Sequence, residues 1–114
     1  MPDAARKTEI EILTFEGCPN REHAITLVSG IVAELGTDAE IRIVDVPDAE
    51  TAAKTRFLGS PTIRVNGGDI EPGADERRYF VHSCRVFKTE WGLSGQPDAQ
   101  WLRDALVGAG EGAS

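Results

Sequence analysis

Cysteine is scarce: the 114 residues hold two, Cys18 and Cys84. That number excludes a disulfide scaffold and a four-cysteine zinc site, and His23 and His82 do not stand at finger-like spacing. Basic charge is short as well, with 12 Lys and Arg against 19 Asp and Glu and a formal net charge of −7. Nucleic acids and anionic membrane surfaces are bound through basic faces, so this balance argues against both as partners. No apolar run approaches the roughly 20 residues of a membrane span. The opening Met1-Pro-Asp-Ala-Ala-Arg-Lys7 lacks the apolar stretch of a signal peptide, which points to the cytoplasm, where thiols stay reduced. No motif for a cofactor or a resident metal is present, and none is expected.

What is there suits one soluble domain with its core over about residues 8–108 and loose ends. Hydrophobic residues make up 40% and charged residues 27%, enough for a core without staples. Residues 8–15 alternate and then turn apolar, the pattern of a strand that becomes buried. Glu16-Gly17-Cys18-Pro19 ends it, with Pro19 suited to a first helical position. Ala24, Leu27, Val28, Ile31 and Leu35 recur at helical spacing, and Gly36 is placed to cap them. A second strand is expected over 40–46 and a short helix over 49–58, closed by Gly59. Ser60 to Val65 reads as a third strand and Asn66-Gly67 as its turn. Residues 68–78 read as a polar loop, 79–88 as a fourth strand, 92–97 as a loop and 98–107 as a last helix, with a frayed tail after it. Trp91 and Trp101 are expected to cover edges of the core. The order β-α-β-α-β-β-α predicts an α/β fold: a four-stranded mixed sheet flanked by three helices.

That order, with Gly17-Cys18-Pro19 after strand one and Ser60-Pro61-Thr62 opening strand three, resembles the thioredoxin superfamily over about residues 8–108. Phe57-Leu-Gly-Ser-Pro-Thr-Ile-Arg-Val-Asn-Gly67, Cys84-Arg-Val-Phe87, Gly92-Leu-Ser-Gly95 and Trp101 bring it close to small bacterial thioredoxin-like proteins. Some of these contain selenocysteine, and they are known as alkylmercury-lyase-like or as DF family (seleno)proteins. The resemblance implies a thioredoxin-like fold and a reactive Cys18 capping the first helix. It also implies a cis Pro61 facing that cysteine, and substrate contacts from Ser60, Pro61, Thr62 and Arg21. Arg21 stands where the superfamily's Cys-x-x-Cys places its resolving thiol.

The thiolate is the reactive form of cysteine, and a helix N-terminus presents free N–H groups and a partial positive charge that favour it. Arg21 adds a cation at that end, while Glu16 and Glu22 oppose it. Set against this is Cys18 as a small buried apolar side chain. If a hairpin centres near residue 73, Thr62 opposes Cys84 and Arg64 opposes His82. Cys84 then reaches the edge near Pro61; the alternative is a cysteine in the core. His23 reads as a surface residue and His82 as structural. The expected function is thiol–disulfide or monothiol exchange through Cys18, resolved by Cys84 or a small thiol, with a small thiol or a disulfide-bearing protein as partner. The alternative is a non-catalytic module that binds thiols or a soft ion such as Hg²⁺ or Cu⁺.

Overall fold

Residue alternation on the first strand sets the layers. Ile10 and Ile12 point to one face of the sheet, while Glu9, Glu11 and Leu13 point to the other. The computed structural model describes residues 8–113. The elements are β1 (Thr8–Thr14), α1 (Arg21–Leu35), β2 (Ala39–Asp45), α2 (Ala49–Thr55), β3 (Thr62–Val65), β4 (Gly68–Asp69), β5 (Phe87–Thr89), β6 (Gly92–Ser94) and α3 (Ala99–Ala113). A 3₁₀ turn, Ala74–Glu76, follows β4. The main sheet is mixed and four-stranded, in the order β2-β1-β3-β4. β1 runs parallel to β2, from Thr8↔Ala39 to Thr14↔Asp45. It runs antiparallel to β3, from Ile10↔Val65 to Leu13↔Thr62. β5 and β6 form a separate antiparallel hairpin.

Helices α1 and α3 cover one face. Ala24, Val28 and Ile31 of α1 and Leu102 and Leu106 of α3 pack with Ile10, Ile12, Ile63 and Val65. The other face is covered at the far end of β1, where Leu13 and Val46 meet Ala52 of α2 and Phe57. Its open half is charged. Arg42 lies 3.6 Å from Glu9 and 3.3 Å from Glu40, and Glu11 is paired in register with both Arg42 and Arg64. This solvated half explains why β1 begins with alternating glutamates and ends apolar. None of the helices described is long and apolar enough to cross a membrane.

The first three strands and the order of the helices agree with the pattern in the sequence; several boundaries do not. α1 begins at Arg21 behind an Asn20 cap, so Pro19 lies outside the helix rather than at its first position. α2 ends at Thr55 instead of running to 58, because Arg56 turns left-handed with φ 58°. The Arg64 guanidinium donates to the carbonyls of Thr55 and Arg56 at 2.7 and 2.9 Å. It thus satisfies the orphan acceptors at that helix end. The fourth strand is not 79–88. Asn66-Gly67 makes a two-residue turn, so the chain pairs again at once, Val65↔Gly68 and Arg64↔Asp69. Residues 77–86 run without regular structure apart from one bridge. Gly92–Ser94 is a strand rather than loop, and α3 continues through the stretch expected to fray. Trp101 packs against Phe87 with ring centroids 6.2 Å apart. Trp91, at 87% exposure, covers no core edge.

Candidate functional site

The end of β1 brings three separate segments together. Thr14, its last residue, shares a 2.6 Å hydroxyl–hydroxyl hydrogen bond with Ser60. The Ser60–Pro61 peptide is cis, as the resemblance implies. Beyond Thr14 the chain turns at Gly17, whose φ of +91° suits glycine. Cys18 sits inside this turn: its N–H donates to the Phe15 carbonyl, and its own carbonyl accepts the Arg21 N–H, both at 3.2 Å. Cys18 is a free thiol and only 7% exposed. It stands two residues ahead of the Asn20 cap, further from the helical N–H groups than the sequence suggests. Gly95 closes over the cap, since a Cβ there would lie 2.6 Å from the Asn20 side-chain nitrogen. Arg21 turns its guanidinium to Glu22 at 3.4 Å, and its side chain is 39% exposed.

Cys84 reaches this end of the sheet by a route the sequence did not suggest. The expected antiparallel pairs Thr62↔Cys84 and Arg64↔His82 do not form, because β4 holds Arg64 against Asp69. Instead Cys84 forms a parallel bridge with Ser60. The Ser60 N–H donates to the Ser83 carbonyl at 2.8 Å, and the Arg85 N–H donates to the Ser60 carbonyl at 3.0 Å. Cys84 is a free, exposed thiol, so it is the more accessible of the two. Ser60, Pro61 and Thr62 are all buried. The Thr62 hydroxyl donates to the Gly59 carbonyl at 2.7 Å.

Sequence reasoning missed the charged group that fastens Cys84 in place. Arg85 is buried and donates to both carboxylate oxygens of Asp69, at 2.7 and 3.0 Å. It also donates to Glu71 at 2.9 Å and to the Thr62 hydroxyl at 3.2 Å. Its guanidinium carbon lies 4.3 Å from the centre of the Phe87 ring, within range of a cation–π contact. Among the described residues the Arg85 Nε has no hydrogen-bond partner. The second oxygen of Glu71 takes the Lys88 N–H at 3.1 Å and meets Arg77 at 3.2 Å. Burial pushes the Glu71 pKa up, but the bonds from Arg85 and Lys88 and the charges of Arg85 and Arg77 together outweigh it and hold the pKa below its ordinary value. Two signals were present in the sequence. Asp69-Ile-Glu71 alternates around an apolar residue directly after the turn, and Arg85 interrupts the run from Cys84 to Phe87.

The histidines stand apart from these bonds. His23 is exposed on α1, and His82 is exposed with its ring 4.6 Å from that of Phe15. Among the described residues, no group of three or more His, Cys, Asp or Glu side chains is placed to hold a metal ion. The fold and site therefore define a mixed α/β protein with two free thiols carried at one end of a four-stranded sheet. No family model, curated protein or solved structure matches the chain.

Proposed function

We propose that this is a thioredoxin-like thiol protein of the cytoplasm that carries out thiol–disulfide exchange through Cys18, with Cys84 or a small thiol resolving the mixed disulfide. One observation carries the reading. Cys18 follows β1 by a single turn, Thr14 ties that end of β1 to Ser60, and Ser60 lies beside Cys84. The β-α-β-α-β-β order from β1 to β4, with α3 following the β5–β6 hairpin, and the cis Ser60–Pro61 peptide heading β3 support the same reading.

Exchange needs a thiolate, an accessible sulfur on the partner and a site that orients the two. The Cys18 turn fixes one thiol, and the Ser60 bridge fixes the other. The test compares wild type, Cys18→Ser and Cys84→Ser in thiol-dependent turnover of a small disulfide such as hydroxyethyl disulfide. Loss of turnover in Cys18→Ser with partial activity in Cys84→Ser is the expected result. Full activity in Cys18→Ser rejects the assignment. A wild type that never exchanges but retains Hg²⁺ through both sulfurs would favour a binding module.

A further inference from the structure

β3 is flanked by β1 on one side and by β4 on the other, but β4 reaches only Arg64 and Val65. Just past β4 the Ile70 N–H donates to the Ile63 carbonyl at 3.1 Å, so the sheet edge left uncovered by β4 lies ahead of Ile63, at residues 60–62, close to both thiol-bearing segments. Main-chain N–H and C=O groups on such an edge are what an extended peptide uses to add itself as a strand. Here the chain itself has taken them. Both main-chain groups of Ser60 are paired, one to Ser83 and one to Arg85.

We propose that Ser83–Arg85 is a fixed strap that closes the Ser60 edge to polypeptides, so that thiol exchange at this site serves low-molecular-weight disulfides. The inference rests on the thiol-exchange reading and narrows its substrate class. Three contacts hold the strap. Arg85 is tied to Asp69, Glu71 and Thr62 in the interior. Gly59 lies against the Arg85 backbone so closely that a Cβ would stand 2.9 Å from the Arg85 Cα. Phe87, two residues on, is fully buried. Peeling the strap away would leave the buried Asp69 carboxylate without Arg85 and Glu71 with Arg77 in place of two cations, which is strongly unfavourable. Ser83 and Cys84 are exposed on it, while Arg85 turns inward.

In the exchange itself, a thiolate of the chain attacks one sulfur of a disulfide RSSR. That S–S bond breaks, a mixed disulfide Cys–S–S–R forms, and RS⁻ leaves and takes up a proton. A small thiol R′SH, deprotonated, then attacks the R sulfur, releasing RSSR′ and the chain's thiolate. The sum is RSSR + R′SH → RSSR′ + RSH, so no further oxidant or reductant is consumed.

The experiment measures wild-type exchange with hydroxyethyl disulfide and with insulin, each normalised to free glutathione acting on the same substrate. The expected result is at least about ten-fold acceleration for the small disulfide and none for insulin. Equal acceleration of both overturns the strap and leaves the thiol-exchange reading standing. Acceleration of neither overturns that reading and this inference with it. A second variant, Asp69→Asn with Glu71→Gln, loosens the anchor while leaving both cysteines and Ser60 in place. Provided its circular dichroism is native, it should gain insulin exchange; a folded variant without that gain counts against the strap.

Discussion

Gly59 and Arg85 touch through their backbones: a Cβ on residue 59 would stand 2.8 Å from the Arg85 Cβ, and Gly59 has φ +113°. Both facts exclude a side chain. The close approach lets the segment of Cys84 lie beside Ser60, so this glycine serves the site and not the end of α2, which Arg56 caps. Gly59→Ala is expected to lower stability by about 2–4 kcal/mol, from backbone strain and overpacking together. Urea unfolding measures it, and a loss below about 0.5 kcal/mol would mean that the contact relaxes freely.

Arg85→Met should be more damaging, at about 3–5 kcal/mol, because it leaves the buried Asp69 carboxylate without Arg85 and Glu71 with Arg77 in place of two cations. The loss should depend on pH. Glu71 has its folded pKa below the ordinary 4.5, so its stabilising contribution is present above that value and disappears as pH falls through the lower folded one. The gap between wild type and Arg85→Met is therefore widest near neutrality and shrinks in acid. Urea midpoints taken from pH 7 down to pH 3 would show this, and a gap constant across that range would remove Glu71 from the account.

Much of the fold could be read from the sequence because it follows from local rules. Apolar alternation found β1 and β2, helical spacing found α1, and Asn66-Gly67 found the turn. The fourth strand was misplaced because the two-residue turn was recognised but its register was not carried through; pairing resumes at Gly68, far from the β-rich stretch after Tyr79. The place of Cys84 was misjudged along with the fourth strand, but the Cys18 turn and Pro61 were legible from their neighbours in sequence. The Arg85 group was not, because its members lie 14 to 23 residues apart and meet only once the irregular segment folds back.

Exposure reverses the order of labelling that Cys18's place before a helix suggests. Cys84 faces solvent, whereas Cys18 lies inside its turn. A bulky polyethylene-glycol maleimide should therefore modify Cys84 first and Cys18 only slowly, since reaction needs access as well as thiolate. Small iodoacetamide should narrow the difference. Peptide mapping after limited reaction reads both, and preferential Cys18 labelling by the bulky reagent would contradict the burial.

Arg21→Cys tests how much of dithiol chemistry this turn already holds. Arg21 is the first residue of α1, and its N–H donates to the Cys18 carbonyl at 3.2 Å. A bond of this kind across three residues brings the α-carbons within about 7 Å, close to the upper limit of a disulfide. Its guanidinium pairs with the exposed Glu22 carboxylate, so replacing it breaks a surface pair of little consequence. In a background with Cys84→Ser, mild oxidation should join residues 18 and 21 within one chain, read as the loss of two hydrogens in the intact mass of the monomer. Intermolecular dimers in place of that product would show that the turn holds the two positions apart. Oxidised, the same variant should react with small thiols; reduced and supplied with dithiothreitol for turnover, it should still fail to accelerate insulin reduction beyond dithiothreitol alone, because the strap on Ser60 is untouched by the change. Insulin reduction by Arg21→Cys would mean that the missing thiol, and not the closed edge, sets the substrate range.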